Sequence, residues 1–189
     1  MRQTTLPSYD DRTGRLKELT HDADGDGRID TWTEMDGPRA LRARIDRDHD
    51  GLIDRWEYYD EAGQLLKVGF SRAGDGIPDA WAYPAADGSV ARVEVSSARR
   101  EGAIDRWERY APGSSGGAGT LVAVEEDTTG DGRPDRWETY EGGALRTVAF
   151  DEDGDGRPDR RLTYASGALV LVESGPDGAG GFTTRRRVD

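Results

Sequence analysis

Cysteine is absent from the 189 residues, which excludes a disulfide framework, a thiolate metal site and a cysteine nucleophile. Any staple in so core-poor a chain must be something else, and an ion is the obvious candidate. Histidine occurs only at His21 and His49, too few for an imidazole-rich zinc centre. The longest aliphatic stretch runs from Ala168 to Val172, far short of the roughly 18 to 20 residues of a spanning helix, so helical membrane insertion is not expected. The opening Met1-Arg2-Gln3-Thr4-Thr5-Leu6-Pro7 lacks the apolar run of a secretory signal. That start fits either a cytosolic protein or a chain whose leader has been removed. Hydrophobic residues supply only 34% of the chain, and 26 basic against 38 acidic residues leave a net charge of −12. The acidity argues against a nucleic-acid or anionic-membrane partner. Catalytic signatures are missing too: no GxSxG elbow, phosphate loop or HExxH motif occurs, and the two histidines read as surface residues. The chain is expected not to be an enzyme.

What is abundant is glycine, with 26 residues, and repetition. Aligning the Asp before each Trp gives Asp30-Thr31-Trp32, Asp54-Arg55-Trp56, Asp79-Ala80-Trp81, Asp105-Arg106-Trp107 and Asp135-Arg136-Trp137, then Asp159-Arg160-Arg161 with Arg for Trp. The steps between these Asp residues are 24, 25, 26, 30 and 24. Short repeats of such even length mean one array. Its unit, complete in the second copy, is an acidic loop (46–54), a segment Arg55 to Tyr59, a turn Asp60-Glu61-Ala62-Gly63 and a segment Gln64 to Phe70. Trp, Tyr, Val and Phe favour pleated surfaces, and Leu66, Val68, Phe70 alternate with period two, as do Val93 with Val95 and Val148 with Phe150. Both segments are therefore predicted as strands. Asp87-Gly88, Gly142-Gly143 and Ser166-Gly167 fit the positive-φ demands of hairpin turns.

The predicted fold is all-β: about six hairpin repeats of about 24 residues in an antiparallel meander or a β-solenoid-like curved sheet, with the acidic loops along one edge. Residues 1–20 read as an N-terminal half repeat, a cap; 21–172 as six tandem repeats; 173–189 as a degenerate repeat and basic tail. Residues 112–119, rich in Gly and Ser, read as a lengthened hairpin loop. Arg and Glu flank Trp at Arg55 and Glu57, Arg106 and Glu108, and Arg136 and Glu138, and alternation sends them to the face opposite the Trp. A Trp row on one face is read as core, with a sugar-stacking platform as the alternative.

Four loops share one spacing of oxygen ligands: Asp22, Asp24, Asp26, Asp30; Asp46, Asp48, Asp50, Asp54; Asp127, Thr129, Asp131, Asp135; and Asp151, Asp153, Asp155, Asp159. A Gly follows each third ligand, at Gly27, Gly51, Gly132 and Gly156. Calcium takes six to eight hard oxygens, and alternate side chains of a curled loop can converge on one centre where Gly permits the turn. Magnesium demands tighter octahedral geometry and keeps its waters. The apolar Ile29, Ile53, Pro134 and Pro158 would anchor the loops on the sheet. Residues 71–76 and 97–102 have lost the set, with Arg99 placed at a ligand position and Arg100 beside it.

This spacing resembles the loop of EF-hand proteins and the DxDxDG loops of dockerins and thrombospondin type 3 repeats. The resemblance implies carbonyl ligands from Arg28, Leu52, Arg133 and Arg157, and a twelfth-position carboxylate at Glu57 and Glu138. In a strand those two Glu have the neighbouring Arg as a competing partner. The ion then relies on the ninth-position Asp, a water or an oxygen of an adjacent unit. The turn Tyr59-Asp60-Glu61-Ala62-Gly63-Gln64-Leu65 is similar to the YD repeats of Rhs-type proteins, whose hairpins build β shells.

Together these features lead to the expectation of a calcium-binding structural or adhesion module, holding about four Ca2+ ions, of an extracellular, cell-surface or periplasmic protein. Loops of this kind bind at roughly 10⁻⁴ to 10⁻³ M in extracellular modules, a concentration present outside cells. A protein or glycan partner, met by a lectin-like Trp face, or an Rhs-like shell fragment is the alternative. The proposed ligand positions, with Glu57 and Glu138, hold 17 of the 38 carboxylates, leaving 21 acidic against 26 basic residues elsewhere. The acidity is local to the loops.

Overall fold

The segment that follows each acidic loop pairs with the segment after its turn in the first, second, fourth, fifth and sixth copies, because branched and aromatic residues alternate along each. The structure, a computed structural model, describes residues 4–99, 102–113 and 119–188. Its strands are β1 (Thr4–Tyr9), β2 (Leu16–Asp22), β3 (Thr31–Asp36), β4 (Arg39–Ile45), β5 (Arg55–Tyr59), β6 (Leu65–Phe70) and β7 (Ala80–Pro84). They continue as β8 (Val90–Val95), β9 (Arg106–Ala111), β10 (Thr120–Glu126), β11 (Arg136–Glu141), β12 (Ala144–Phe150), β13 (Arg160–Ala165), β14 (Ala168–Pro176) and β15 (Phe182–Arg187). No helix among the described residues is long and apolar enough to cross a membrane.

The chain forms two units, Met1–Pro84 with Ala98–Glu101, and Ala85–Ser97 with Gly102–Asp189. In each, the strands follow one another in chain order as antiparallel neighbours. Among the described residues the first unit starts on β1, which pairs with β2 alone, and the second finishes on β15, which pairs with β14 alone, so the meander is open at those strands. The expected dozen strands become fifteen among the described residues. The extra ones are a full hairpin β1–β2 ahead of the first loop and β15, which takes up Phe182 to Arg187 of the expected tail. Hairpin turns behave as their residues require: Gly142, Gly143, Ser166 and Gly167 all have positive φ. The middle of the lengthened loop, 114–118, lies outside the described residues.

Pairing explains the repeated motif. On one face, Glu57 stands between Ala43 and Val68, Glu108 between Val93 and Val124, and Glu138 between Val124 and Val148. Val124 and Val148 are among the most buried side chains, and Glu138 is buried with them. A carboxylate survives there because Arg two residues before and Tyr two residues after point to the same face. Glu57 accepts from Arg55 Nε at 2.8 Å and from the Tyr59 hydroxyl. Glu108 accepts from Arg106 at 2.7 Å and Tyr110 at 2.6 Å, and Glu138 from Arg136 and Tyr140. These acceptors hold the phenols protonated: burial and the neighbouring Glu push Tyr59, Tyr110 and Tyr140 up to about 12.

The opposite face carries the tryptophans, but not as an unbroken row. Because a repeat has two strands, Trp32 and Trp56 are separated by Arg44, Trp56 and Trp81 by Gly69, and Trp107 and Trp137 by Glu125. Trp81 and Trp56 are buried, at 2% and 8% exposure, while the other three are half-buried. The expected core is thus real at two positions and partial at three. Gly69 leaves the space: a Cβ there would meet Trp81 at 3.4 Å and Trp56 at 3.5 Å.

Candidate metal centre

In a meander every second connection lies at the same edge, so the acidic loops of each unit emerge side by side. They are stitched together by the backbone. Asp46 N–H donates to the Asp30 carbonyl at 2.8 Å, Ser71 N–H to Asp54 at 2.9 Å, and Asp151 N–H to Asp135 at 2.9 Å. The ninth-position Asp closes its own loop. Its amide returns to the strand before the loop, as Asp30 does to His21 at 3.0 Å and Asp159 to Phe150 at 2.8 Å. Its carboxylate accepts the N–H following the first ligand: Ala23 to Asp30, Arg47 to Asp54, Thr128 to Asp135 and Glu152 to Asp159.

The first ligand organises the curl. Asp22 accepts Gly25 N–H at 2.6 Å on one oxygen and Gly27 N–H at 3.0 Å on the other. Asp127 does the same with Gly130 and Gly132, and Asp151 with Gly154 and Gly156. Burial pushes the Asp127 and Asp151 carboxyls up, but these N–H donors outweigh it and both sit below the usual carboxylate value. Asp30 is lowered against the same burial penalty by Ala23 N–H, the Thr31 hydroxyl and the two histidines. The fifth-position Asp fixes the residue expected to lend its carbonyl: Arg28, Leu52, Arg133 and Arg157 donate N–H to Asp26, Asp50, Asp131 and Asp155. Ile29, Ile53, Pro134 and Pro158 are half-buried beneath the loops.

Three groups of carboxylates bring one oxygen each to within 4.8 Å of the others: Asp22, Asp24 and Asp30; Asp46, Asp48 and Asp50; and Asp151, Asp153 and Asp159. The fifth loop, with Thr129 at its third position, does not assemble three carboxylates among the described residues. Asp26, Asp54 and Asp155 stay beside their groups, holding backbone N–H donors. Glu57 and Glu138 are elsewhere. As strand residues they point to the Val face, with both oxygens engaged by Arg and Tyr.

Two further placements differ from expectation. The fourth loop is one residue longer, since Asp105 N–H reaches back ten residues to Val95, at 3.0 Å, where its counterparts reach back nine. The buried Ser96, not Ser97, therefore holds the first position, and Arg99 falls at the fourth, not at a ligand position. Arg100 and Glu101 lie outside the described residues. His49, expected to point away from the ions as a surface residue, instead reaches the preceding loop. Its Nδ1 is 2.9 Å from Asp24 and its Nε2 3.9 Å from Asp30. Arg99 reaches the loop before its own in the same way, 3.0 Å from Asp75 within the first unit. Both occupy the fourth loop position, and both have positive φ, 62° and 55°, where Gly25, Gly74, Gly130 and Gly154 stand in the other loops.

Residues 7–92 match the model of a family described as a family of unknown function (DUF6802). No curated protein matches the sequence. Among solved structures, "Crystal Structure of TcdB2-TccC3-TEV" is 14% identical over 93% of this chain and 10% of that one, with a TM-score of 0.25. "Crystal Structure of TcdB2-TccC3-Cdc42" is 10% identical over 91% and 12%, with a TM-score of 0.22, and "Crystal Structure of TcdB2-TccC3" 11% identical over 95% and 13%, with a TM-score of 0.22. The chain thus spans about a tenth of those chains.

Proposed function

We propose that this chain is a non-enzymatic, calcium-binding structural repeat module of a secreted or cell-surface protein, in which Ca2+ in the acidic loops stiffens an open hairpin array. One observation carries this reading: carboxylates converge in three of the loops, from the first, third and ninth positions in the first and sixth loops and the first, third and fifth in the second, their oxygens within 4.8 Å of one another. The donors are hard oxygens only, which suits calcium over zinc. Each group concentrates negative charge on a loop already curled by its own N–H donors. An ion there would neutralise that charge and tie the loop to its neighbour through the stitched backbone. Binding to a site formed only on folding becomes folding free energy, about 2.7 kcal/mol per ion at a hundred times Kd. An adhesive role would rest on the sheet faces. Buried Trp56 and Trp81 cannot stack on a sugar, whereas half-buried Trp137 lines a 710 Å³ groove with Thr139, Pro158 and Phe182.

The test is thermal melting of the full chain in millimolar CaCl2 and in chelator, with bound metal counted by mass spectrometry. The expected result is three to four ions and a melting temperature higher by on the order of 10 °C with calcium. Identical melts with no bound metal would end the calcium reading.

A further inference from the structure

The four acidic loops are alike in sequence, yet one differs in how its first carboxylate is satisfied. Asp22, Asp127 and Asp151 each use both oxygens on glycine N–H groups, at the fourth and sixth loop positions. Asp46 accepts only one such bond, from Gly51 at 2.9 Å. Its other oxygen, Oδ1, is buried and has no hydrogen-bond partner, in a residue only 5% exposed. A buried anionic oxygen without a donor is costly unless something else neutralises it. No Lys, Arg or His among the described residues pairs with Asp46, Asp48 or Asp50, although these three converge within 4.8 Å. Asp46 and Asp50 line a 280 Å³ cavity shared with Asp26, Asp30 and His49.

The difference coincides with His49. It takes the fourth position, where Gly25, Gly130 and Gly154 each donate a backbone N–H to the first carboxylate, but the His49 N–H makes no such bond to Asp46 Oδ1, and its imidazole is turned onto Asp24 and Asp30. The second loop is thus left with an unsatisfied carboxylate oxygen, while the first gains a partner from its neighbour. Resting on the calcium reading above, we infer that the loop of Asp46, Asp48 and Asp50 is the leading divalent-cation site of the chain, filled before the others, and that His49 sets this order. The ligand is a hard cation of calcium's class, with the bare Asp46 oxygen as its deepest ligand.

Titrating CaCl2 into the 15N-labelled full chain reads the order directly, because Gly27, Gly51, Gly132 and Gly156 hold the same place in their four loops. The Gly51 amide is expected to shift with the first equivalent and the other three later. In His49→Gly the first and second loops should level, with the residue-49 N–H, freed of the imidazole's contacts, expected to turn onto Asp46 as in the other loops, and Asp24 and Asp30 losing the imidazole; affinity at Gly51 should fall about tenfold. Asp48→Asn removes an exposed ligand without touching buried Asp46, and should abolish the early Gly51 response in a folded chain. Shifts at Gly132 or Gly156 ahead of Gly51, or an unchanged order in His49→Gly, would overturn the inference while leaving calcium binding intact. Silence at all four glycines would overturn the calcium reading and this site with it.

Discussion

In the first unit, the second and third acidic loops and the strands that follow them stabilise the same kind of junction by opposite means. The second has a loop with three converging carboxylates that pair with no side-chain cation among the described residues, followed by Arg55, Trp56, Glu57 and Tyr59. In the third, Ser71 and Ala73 replace two of the four carboxylates; of the two that remain, Asp79 accepts Arg72 N–H and Asp75 is held by the Ser71 hydroxyl at 3.1 Å and by Arg99 at 3.0 Å. The strand that follows reads Ala80-Trp81-Ala82, with alanines where the second repeat has Arg and Glu, and Ala80 and Trp81 are 3% and 2% exposed. In the third repeat a side-chain cation and a drier strand thus stand where the second has converging carboxylates and a charged ladder. Unpaired charge and apolar burial are alternative ways to finish the same junction, and they differ in what they require from outside the chain.

The largest effect that separates the two repeats is Trp81→Ala. Deleting a fully buried Trp should cost about 3–5 kcal/mol, and the loss should be the same in calcium and in chelator, because the third loop is expected to take no ion. A loss that appears only in chelator would mean that the third repeat depends on calcium after all. Next comes conversion of the third loop into the second. Ser71→Asp with Ala73→Asp and Arg99→Gly should add one bound ion by mass spectrometry. The two Asp replacements with Arg99 kept should bind it more weakly, because the guanidinium competes for Asp75. Equal binding with and without Arg99 would show that it does not stand in for a cation.

The hairpins were legible because the motif states the fold twice, once as period-two alternation and once as a 24-residue repeat. Leu66, Val68 and Phe70 could not alternate in that way on a helix, and Trp, Arg and Glu had to part onto opposite faces. The acidic spacing was legible for the same reason, and three of the four loops bring three of their four carboxylates together. What escaped are contacts that cross from one repeat to the next. His49 on Asp24 and Arg99 on Asp75 join residues 25 and 24 positions apart, and no periodicity within a repeat marks them. A signal was present nonetheless: the fourth loop position is Gly in the first, third, fifth and sixth loops, so His49 stands out as a side chain forced into a left-handed backbone. The extra residue of the fourth loop hid behind an alignment made on Asp105, although the alternation of Val93 and Val95 already placed the strand end before Ser96.

The smallest effect tests the charged ladder that the third repeat lacks. In an alkaline titration followed at 295 nm, the three ladder phenols, Tyr59, Tyr110 and Tyr140, are expected to ionise at about 12, because burial and an adjacent Glu acceptor disfavour the phenolate. The sign follows from linkage. A folded-state value above the unfolded value of about 10 means that the stabilisation is complete below pH 10, and it is lost as pH rises through 12. The chain should therefore lose stability across that window. Glu57→Gln should bring one of the three phenols down towards 10 by removing a negative acceptor, while leaving Trp81 and its strand unaffected. A titration in which Glu57→Gln changes none of the three would mean that burial alone holds Tyr59 protonated, and that the charged ladder of the second repeat is dispensable in the way the alanines of the third already make it.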